Sequence, residues 1–290
     1  MFNGAFIRRG IGLAGMLFKE LASPPALQRQ PEPELLMEDK SSVEGFHLAA
    51  ESLMPVYHFN ALAVSRLTPL GGTVFDLGSG SGQFLAYLAE VRPDIRLIGI
   101  DLSKAMVGRG RRFLSEAGVE DRVSLNLGDM TDFIGHLPNA VNVVSSVFSL
   151  HHLPTREDLL KTLRQMKTVR EKTGVAFWIF DLQRPRSPDT PKNFPEILTP
   201  DTPAVFKEDT TNSLIAAWSF QEMLGALADV GMEKEACHSC SPLLKLYQTH
   251  WMPAVDNLSA GHAHWVEGVR SLETGRQFQQ LKGLLPKGPV

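Results

Sequence analysis

Short apolar runs alternate with amphipathic stretches along residues 73–181 of this 290-residue chain. Apolar runs bounded by glycine, proline or polar residues indicate strands, and apolar positions three and four residues apart indicate helices. The predicted strands cover residues 73–77, 96–100, 122–127, 141–146 and 174–180, and the predicted helices cover residues 83–91, 104–117 and 155–170. This alternation predicts an α/β fold with a parallel, doubly wound sheet, in which ligands bind at the carboxyl ends of the strands.

Prolines interrupt the alternation in residues 182–213, after the fifth predicted strand. They are Pro185, Pro188, Pro191, Pro195, Pro200 and Pro203. A loop of this length in a compact domain is usually a functional lid or disordered, and we assign it to the substrate pocket. A helix is then predicted for residues 219–229, followed by strands for residues 232–238 and 243–250.

Residues 1–22 place their apolar side chains on one helical stripe, which predicts an amphipathic helix. The stripe consists of Ile7, Ile11, Ala14, Phe18 and Leu21. We expect this helix to pack on the main domain or on a partner subunit. Membrane contact or a targeting role is possible but not favoured, because the segment is too short and too charged to span a bilayer.

The remaining signals divide the chain into three parts. Residues 23–40 are rich in proline and polar residues, which indicates an extended linker with little structure. Residues 41–67 are helical in pattern, with a break predicted at Pro55. The predicted parts are an N-terminal segment and linker (1–40), a main domain (41–252) and a C-terminal extension (253–290) with a possible helix over 263–285.

Composition narrows the possible partners and the compartment. A net charge of −3 gives no general attraction to nucleic acid or to an anionic membrane, so no nucleic-acid partner is predicted. Only two cysteines are present, which favours a reducing, cytoplasmic location. Cys237 and Cys240 have the spacing of half a zinc site, with His250, His262 and His264 further on. A second pair of cysteines is missing from the sequence, so no metal site is predicted.

Glycines at alternate positions follow the first predicted strand: Gly78, Gly80 and Gly82. They allow positive φ angles and bring a ligand close to backbone N–H groups at a helix N-terminus. A dinucleotide motif has a different glycine spacing, and Asp76 would repel a pyrophosphate. Asp76 instead suits a ligand with an ammonium group or another positive centre, such as S-adenosylmethionine.

The sequence at four strand ends resembles the class I S-adenosylmethionine-dependent methyltransferases, over roughly residues 55–250. Asp101 ends the second predicted strand, at the distance where such folds place a carboxylate on ribose hydroxyls. The matching segments are residues 76–82, 99–103, 128–130 and 143–153. The resemblance implies a Rossmann-like sheet of seven strands, with the N-terminal helical extension and the lid added to it. Its small-molecule branch is the most similar, through residues 213–219 and 230–232.

The resemblance also implies which residues hold the cofactor, S-adenosylmethionine. They are Tyr57, Asp76, Gly78, Ser79, Gly80, Gly82, Asp101, Leu102, Met106, Asp129, Met130 and Ser146. Asp101 would accept hydrogen bonds from the ribose, and Asp129 would accept one from the adenine amino group. A helix-capping role is the alternative for Asp129. Asn142 departs from the family, which often has aspartate there, and this affects strand anchoring rather than the cofactor.

His151 and His152 end the fourth motif, beside the expected acceptor. Either one is a candidate to take a proton or to orient the acceptor, and a purely structural role is equally consistent with the sequence. Motifs for base amino-methylation or metal-dependent catechol methylation are missing from the fourth strand. We therefore predict methyl transfer to a small molecule, with the attacked atom and the oligomeric state undetermined.

Three alternatives stay open at this stage. The first is an enzyme that uses the same cofactor for non-methylating chemistry, for example a cyclase. The second is a non-catalytic binding module, which the intact glycine motif and its two acids argue against. A nucleotide-sugar or nicotinamide enzyme is the third, and it would prefer NADH to S-adenosylmethionine.

Overall fold

A seven-stranded sheet in the order β3-β2-β1-β4-β5-β7-β6 forms the centre of the protein. The computed structural model describes residues 4–25, 27–34, 38–242, 245–255 and 285–289. The strands are β1 Thr73–Leu77, β2 Arg96–Asp101, β3 Val123–Leu127, β4 Val143–Val147, β5 Ala176–Leu182, β6 Cys237–Cys240 and β7 Tyr247–Met252. The first five strands are parallel, and β7 pairs antiparallel with both β5 and β6. The predicted α/β, doubly wound, seven-stranded fold is confirmed.

Nine helices are found in the described residues, on both faces of the sheet and at one edge of its binding side. They are α1 Gly4–Ala22, α2 Lys40–Leu48, α3 Ala50–Leu67, α4 Gln83–Val91, α5 Lys104–Glu116, α6 Arg156–Thr173, α7 Thr190–Leu198, α8 Ala204–Ala216 and α9 Phe220–Asp229. Strands β1, β4 and β5 are almost completely buried, because helices cover both faces of a parallel sheet. Strand order reverses between β1 and β4, which puts the binding crevice between them.

Residues 182–213 contain two helices, so the prediction of a loop is wrong. Helices α7 and α8 account for most of this stretch, and they contact each other. The prolines do not exclude helices here, because several of them occupy positions that helices tolerate. Pro191 is in the first turn of α7, and Pro203 is the residue before α8, where the missing N–H has no helical partner.

Two further boundaries differ from the predictions. The break in residues 41–67 lies at Ala49, between α2 and α3, and Pro55 is inside α3. A proline in the second turn removes only one backbone hydrogen bond, so the helix continues. The predicted strand over residues 232–238 is mostly a turn, and β6 begins only at Cys237. The predicted helix over residues 263–285 lies outside the described residues, apart from its last position.

Helix α1 packs against α7, but through a different face from the one predicted. Met16 and Glu20 are buried, whereas Ile11 and Phe18 of the predicted stripe are 68% and 73% exposed. The Glu20 carboxylate accepts hydrogen bonds from the backbone N–H groups of Arg186 and Ser187 and from the Thr190 hydroxyl. A buried acid is therefore the polar anchor of this helix, which apolar periodicity does not detect.

Both ends of the chain contact the main domain. Leu285 is buried in the core, and the carbonyl of Lys287 accepts a hydrogen bond from the Thr249 hydroxyl of β7. Arg66 donates to the carbonyl of Pro289. Residues 27–34 have no helix or strand, yet they lie against the binding side of the sheet, as described below. Among the described residues, none of the helices combines the length and the apolar character that a membrane span requires.

Candidate active site

The glycine loop joins β1 to α4 and has the backbone shape that its sequence predicts. Gly78, Gly80 and Gly82 have φ angles of 69°, 54° and 73°. A Cβ on Gly78 would lie 2.4 Å from the Cβ of Ser149, so glycine is required there for packing. A Cβ on Gly80 would meet no atom within 4 Å. Gly80 is thus the point where a ligand can approach the backbone.

Asp101 is tied to this loop. Its Oδ2 accepts a hydrogen bond from the Gly80 N–H at 2.7 Å, and its Oδ1 accepts one from Ser103 N–H at 2.8 Å. Burial raises the pKa of Asp101, although these hydrogen bonds oppose the change. The carboxylate therefore lies at the end of β2 beside the open backbone of Gly80, in the position expected for a partner of ribose hydroxyls.

Asp76 lies deeper in the crevice. Its side chain is buried, and its Oδ1 accepts a hydrogen bond from the Ser145 hydroxyl at 2.6 Å. Burial raises the pKa of Asp76 to about 7; the Ser145 hydrogen bond opposes this rise, and the charge of Asp101 adds to it. An acid buried without a cation is costly, so this position favours a ligand that brings positive charge.

One cavity of about 570 Å³ runs from the glycine loop to the two histidines. Ten of the predicted cofactor residues line it: Tyr57, Asp76, Gly78, Ser79, Gly80, Asp101, Leu102, Met106, Asp129 and Met130. Ser81 and Gln83 also line it, although the sequence analysis did not select them. Asp129 accepts a hydrogen bond from Thr131 N–H at 2.7 Å, so its capping role is present together with its position at the cavity.

Two predicted cofactor residues, Gly82 and Ser146, lie outside the lining of this cavity. Gly82 is the residue before α4, and a Cβ there would lie 2.9 Å from Leu125 Cδ1. The hydroxyl of Ser146 is buried and lies 2.5 Å from that of Ser149. Gly82 and Ser146 are both buried behind the glycine loop, so neither is exposed to a ligand in the cavity.

His151 and His152 occupy a 3-10 turn after β4, with ring centroids 4.1 Å apart. The carboxylate of Asp181, at the end of β5, lies 2.5 Å from His151 Nδ1 and also accepts a hydrogen bond from the His151 backbone N–H. This contact orients the His151 ring, so that its Nε2 lies on the side away from Asp181. The structure thus brings both predicted histidines to the cavity.

Glu32 completes this group, and the sequence analysis missed it. Its Oε2 lies 2.5 Å from His152 Nδ1, and its Oε1 accepts a hydrogen bond from the Ser213 hydroxyl at 2.6 Å. Burial favours the neutral forms of both groups, but their mutual attraction outweighs it. The pKa of Glu32 is therefore lowered to about 2, and the pKa of His152 is raised to about 9. Near neutral pH the two side chains form an ion pair.

Arg29 fixes the segment that carries Glu32. Its guanidinium lies 3.6 Å from the centre of the Trp218 ring. It donates hydrogen bonds to the backbone carbonyls of Pro154, His151, Leu153 and Ala216. Burial lowers the pKa of Arg29 to about 10, which still leaves it charged. Residues 27–34 of the predicted linker have no helix or strand, but they are fixed to the main domain and residues 32–34 line the cavity.

Helices α7 and α8 supply apolar walls to the cavity, and α8 contacts the turn that carries the histidines. The aromatic residues Phe148, Phe194 and Phe206 line the cavity. Phe180 and Trp218 pack behind this lining: Phe180 touches Phe148 edge-on, and Trp218 lies under Arg29. Asp209 on α8 lines the cavity as well, and burial, with the charge of Glu32, raises its pKa to about 6.

Other candidate groups have structural partners. Two arginines of α5 have partners within the protein: Arg109 pairs with Glu44, and Arg111 donates to the carbonyl of Leu125. Asn142 accepts a hydrogen bond from Thr73 N–H and anchors the start of β1. Arg184 is bound to Glu222 and to backbone carbonyls.

Part of the sequence matches a known protein family. Residues 74–174 match the family model described as a methyltransferase domain. These residues include β1, the glycine loop and the turn with the two histidines. This part of the chain is therefore a methyltransferase domain of the class I, S-adenosylmethionine-dependent kind. The predicted family and its cofactor are thereby confirmed.

Relatives of this chain match over part of their length. Over 103 residues it is 39% identical to an arsenite methyltransferase of Halobacterium salinarum, covering 34% of this chain and 25% of that protein. It is 28% identical over 132 residues to a demethylmenaquinone methyltransferase of Symbiobacterium thermophilum, covering 45% and 50%. The chain therefore spans a quarter to a half of the length of these two relatives.

A solved structure shows the same fold. An S-adenosylmethionine-dependent methyltransferase from Aquifex aeolicus superposes with a TM-score of 0.51 at 20% identity. The match covers 73% of this chain and 97% of that one. At this identity the likeness concerns the fold, so a substrate for this chain has to be argued from its own site.

Proposed function

We propose that this protein transfers a methyl group from S-adenosylmethionine to a small organic acceptor, which leaves S-adenosylhomocysteine. One observation carries the proposal: ten of the twelve predicted cofactor residues line the same cavity as the two histidines. The cofactor would lie along the glycine loop, with its ribose on Asp101 and its adenine near Asp129 and Met130. The acceptor would lie beyond it, between the histidines and the aromatic walls of α7 and α8.

The charge pattern of the cavity agrees with this arrangement. At the cofactor end, Asp76 is buried and Asp101 is half-buried. The ammonium and sulfonium groups of the cofactor would offset the desolvation of these two acids. Methyl transfer itself depends mainly on alignment of nucleophile, methyl and sulfur, which can contribute up to about 7–11 kcal/mol. The fixed loop and fixed walls would provide that alignment.

The acceptor end favours a small, largely apolar molecule with one polar group. Phe194 and Phe206 offer apolar surface, while His151, His152 and Asp209 offer polar atoms on one side. A cavity of this size suits a small ligand rather than a polymer. The named relatives act on arsenite and on demethylmenaquinone according to their names, and both are small compared with a protein or a nucleic acid.

Calorimetric titration with S-adenosylmethionine, S-adenosylhomocysteine and NADH tests the cofactor part of the proposal. We expect binding of the first two and no binding of NADH. Asp101→Ala should lower the affinity for both by about 1–3 kcal/mol, because hydrogen bonds to a charged acceptor are lost. Asp121→Ala is the matched control, since Asp121 is an exposed acid away from the cavity.

Release of S-adenosylhomocysteine in the presence of small phenols, quinols, amines and thiols then tests methyl transfer. Turnover of at least one class, abolished by a cavity substitution such as Phe206→Asp, would support the proposal. Tight cofactor binding without turnover of any class would favour non-methylating chemistry, and binding of NADH alone would contradict the proposal.

A further inference from the structure

We propose that Glu32, His151 and His152 form a binding site for a divalent transition-metal ion at the acceptor end of the cavity. Two imidazoles and one carboxylate are a donor set that suits ions such as Zn²⁺ or Co²⁺. The residues come from two distant parts of the chain and meet at one place. Metal binding here goes beyond the proposed methyl transfer and does not depend on it.

The distances among the three donors are compatible with a shared ion. One ligand atom from each of the three residues lies within 4.8 Å of the others. His151 Nε2 is 3.9 Å from Glu32 Oε1, and His152 Nδ1 is 2.5 Å from Glu32 Oε2. Atoms that share a zinc ion at 2.0–2.2 Å lie roughly 3–3.5 Å apart. Small side-chain rotations therefore suffice, and the ion would replace the proton that Glu32 and His152 now share.

A second observation, independent of these distances, is that other residues already orient the donors. The contact of Asp181 with His151 Nδ1 favours the tautomer whose lone pair is on Nε2, the atom that faces Glu32. This carboxylate–histidine arrangement is the usual support of a histidine metal ligand. Ser213 donates to Glu32. Arg29 holds the backbone of the histidine turn.

The cluster also has access to the cavity, which an ion with a catalytic or binding role needs. Glu32, His151 and His152 all line it, and Asp209 lies on the same wall as a nearby carboxylate. Three protein ligands leave at least one coordination position open. An oxygen or nitrogen donor of the acceptor would occupy that position; this part of the inference rests on the proposed function.

A second pair of histidines provides a control within the same protein. His238 Nδ1 lies 2.8 Å from His250 Nδ1, on β6 and β7. Among the described residues, no carboxylate joins this pair in a cluster of three donors. His238→Gln therefore removes a potential metal-binding imidazole and leaves the proposed site intact.

The experiment uses untagged full-length protein, stripped with a chelator and titrated with Co²⁺ and with Zn²⁺. Calorimetry gives stoichiometry and affinity, and the visible absorption of Co²⁺ gives the coordination. We expect one ion per chain with micromolar or tighter affinity. Glu32→Gln should weaken binding at least tenfold, and Asp181→Asn should weaken it about 10–100-fold, because it removes the residue that orients His151. His238→Gln should leave the affinity unchanged.

Any of three results would overturn the metal site. The first is that the wild-type protein binds neither ion, and the second is that Glu32→Gln binds the ion as tightly as the wild type. The third result is that His238→Gln weakens ion binding as much as Glu32→Gln does. Thermal unfolding and S-adenosylhomocysteine titration of each variant show that it is folded, since Glu32 is not among the proposed cofactor residues. Failure of the wild-type protein to bind S-adenosylhomocysteine would overturn the proposed function alone, because the metal titration contains no cofactor.

Discussion

The carboxylate of Glu32 lies 2.5 Å from Nδ1 of His152, although 120 residues separate them in the chain. This contact makes a segment outside the sheet part of the site. Glu32 reaches the histidine turn because Arg29, three residues earlier, is bound to the carbonyls of that turn and stacked on Trp218. Residues 32–34 therefore form part of the cavity wall beside the histidines.

Arg29→Lys is predicted to destabilise the protein by about 2 kcal/mol or more. A lysine cannot reproduce a planar guanidinium that donates to several carbonyls and stacks on an indole, and hydrogen bonds from a charged donor are each worth about 1.5–3 kcal/mol. Urea denaturation measures the free energy of unfolding. Arg112→Lys, on the exposed surface of α5, is the control and should leave it unchanged. Equal stabilities of the two variants would contradict the role given to Arg29.

Met16→Ala is predicted to destabilise the protein by about 2–4 kcal/mol, whereas Phe18→Ala should change stability by less than about 0.5 kcal/mol. Met16 is 4% exposed and packs with residues of β5 and α7, and Phe18 is 73% exposed. The two substitutions in one helix separate its buried face from its exposed face. The reverse order in thermal unfolding would mean that α1 uses the stripe indicated by periodicity.

The central sheet could be predicted from sequence because its signals are local. Strands buried on both faces are mostly apolar, and the glycine loop marks the end of β1 by itself. Helix α1 could not be oriented in this way, because apolar residues occur on more than one of its sides: Leu13 and Leu17 pack against the protein, and Ile11 does not. The buried acid Glu20 decides the orientation through contacts with residues far along the chain.

One part of the candidate site could be predicted from the sequence, and another part could not. The cofactor residues were predicted from motifs, since each acid or glycine lies at the end of a strand or shortly after it. No comparable signal distinguishes Glu32 from Glu34 or Glu38, which lie in the same proline-rich segment. Its role depends on the placement of Arg29 and Ser213, and only the folded chain brings them together.

Gly80→Ala is predicted to weaken S-adenosylmethionine binding at least tenfold with only a modest loss of stability. The φ of 54° costs a side chain about 1–2 kcal/mol, and the added Cβ would point into the open space where the cofactor approaches. Gly118→Ala is the matched control. Gly118 has a φ of 67° and equally open surroundings, but it does not line the cavity. The two variants should lose similar stability. An equal loss of affinity for S-adenosylmethionine would contradict the prediction that the cofactor approaches the backbone at Gly80.

The affinity for S-adenosylmethionine is predicted to increase with pH through about 7, the pKa that burial gives Asp76 in the cofactor-free protein. Below this pH the carboxyl is neutral and attracts the cofactor weakly; above it, the carboxylate attracts the ammonium and sulfonium groups. Binding of the cation therefore lowers the pKa of Asp76 and releases a proton, with a slope of at most about tenfold per pH unit.

Calorimetry between about pH 5.5 and 7.5 measures this dependence, a range chosen because α-amino groups titrate near pH 7.7–8.0. Repeating the titration in buffers of different ionisation enthalpy reports the released proton directly. Asp76→Asn keeps an oxygen that can accept the hydrogen bond of Ser145, but it removes the titrating group. The variant should bind more weakly at pH 7.5 and show a flat profile, because its side chain is neutral throughout. A wild-type profile as flat as that of Asp76→Asn would mean that this acid does not contact the cationic part of the cofactor.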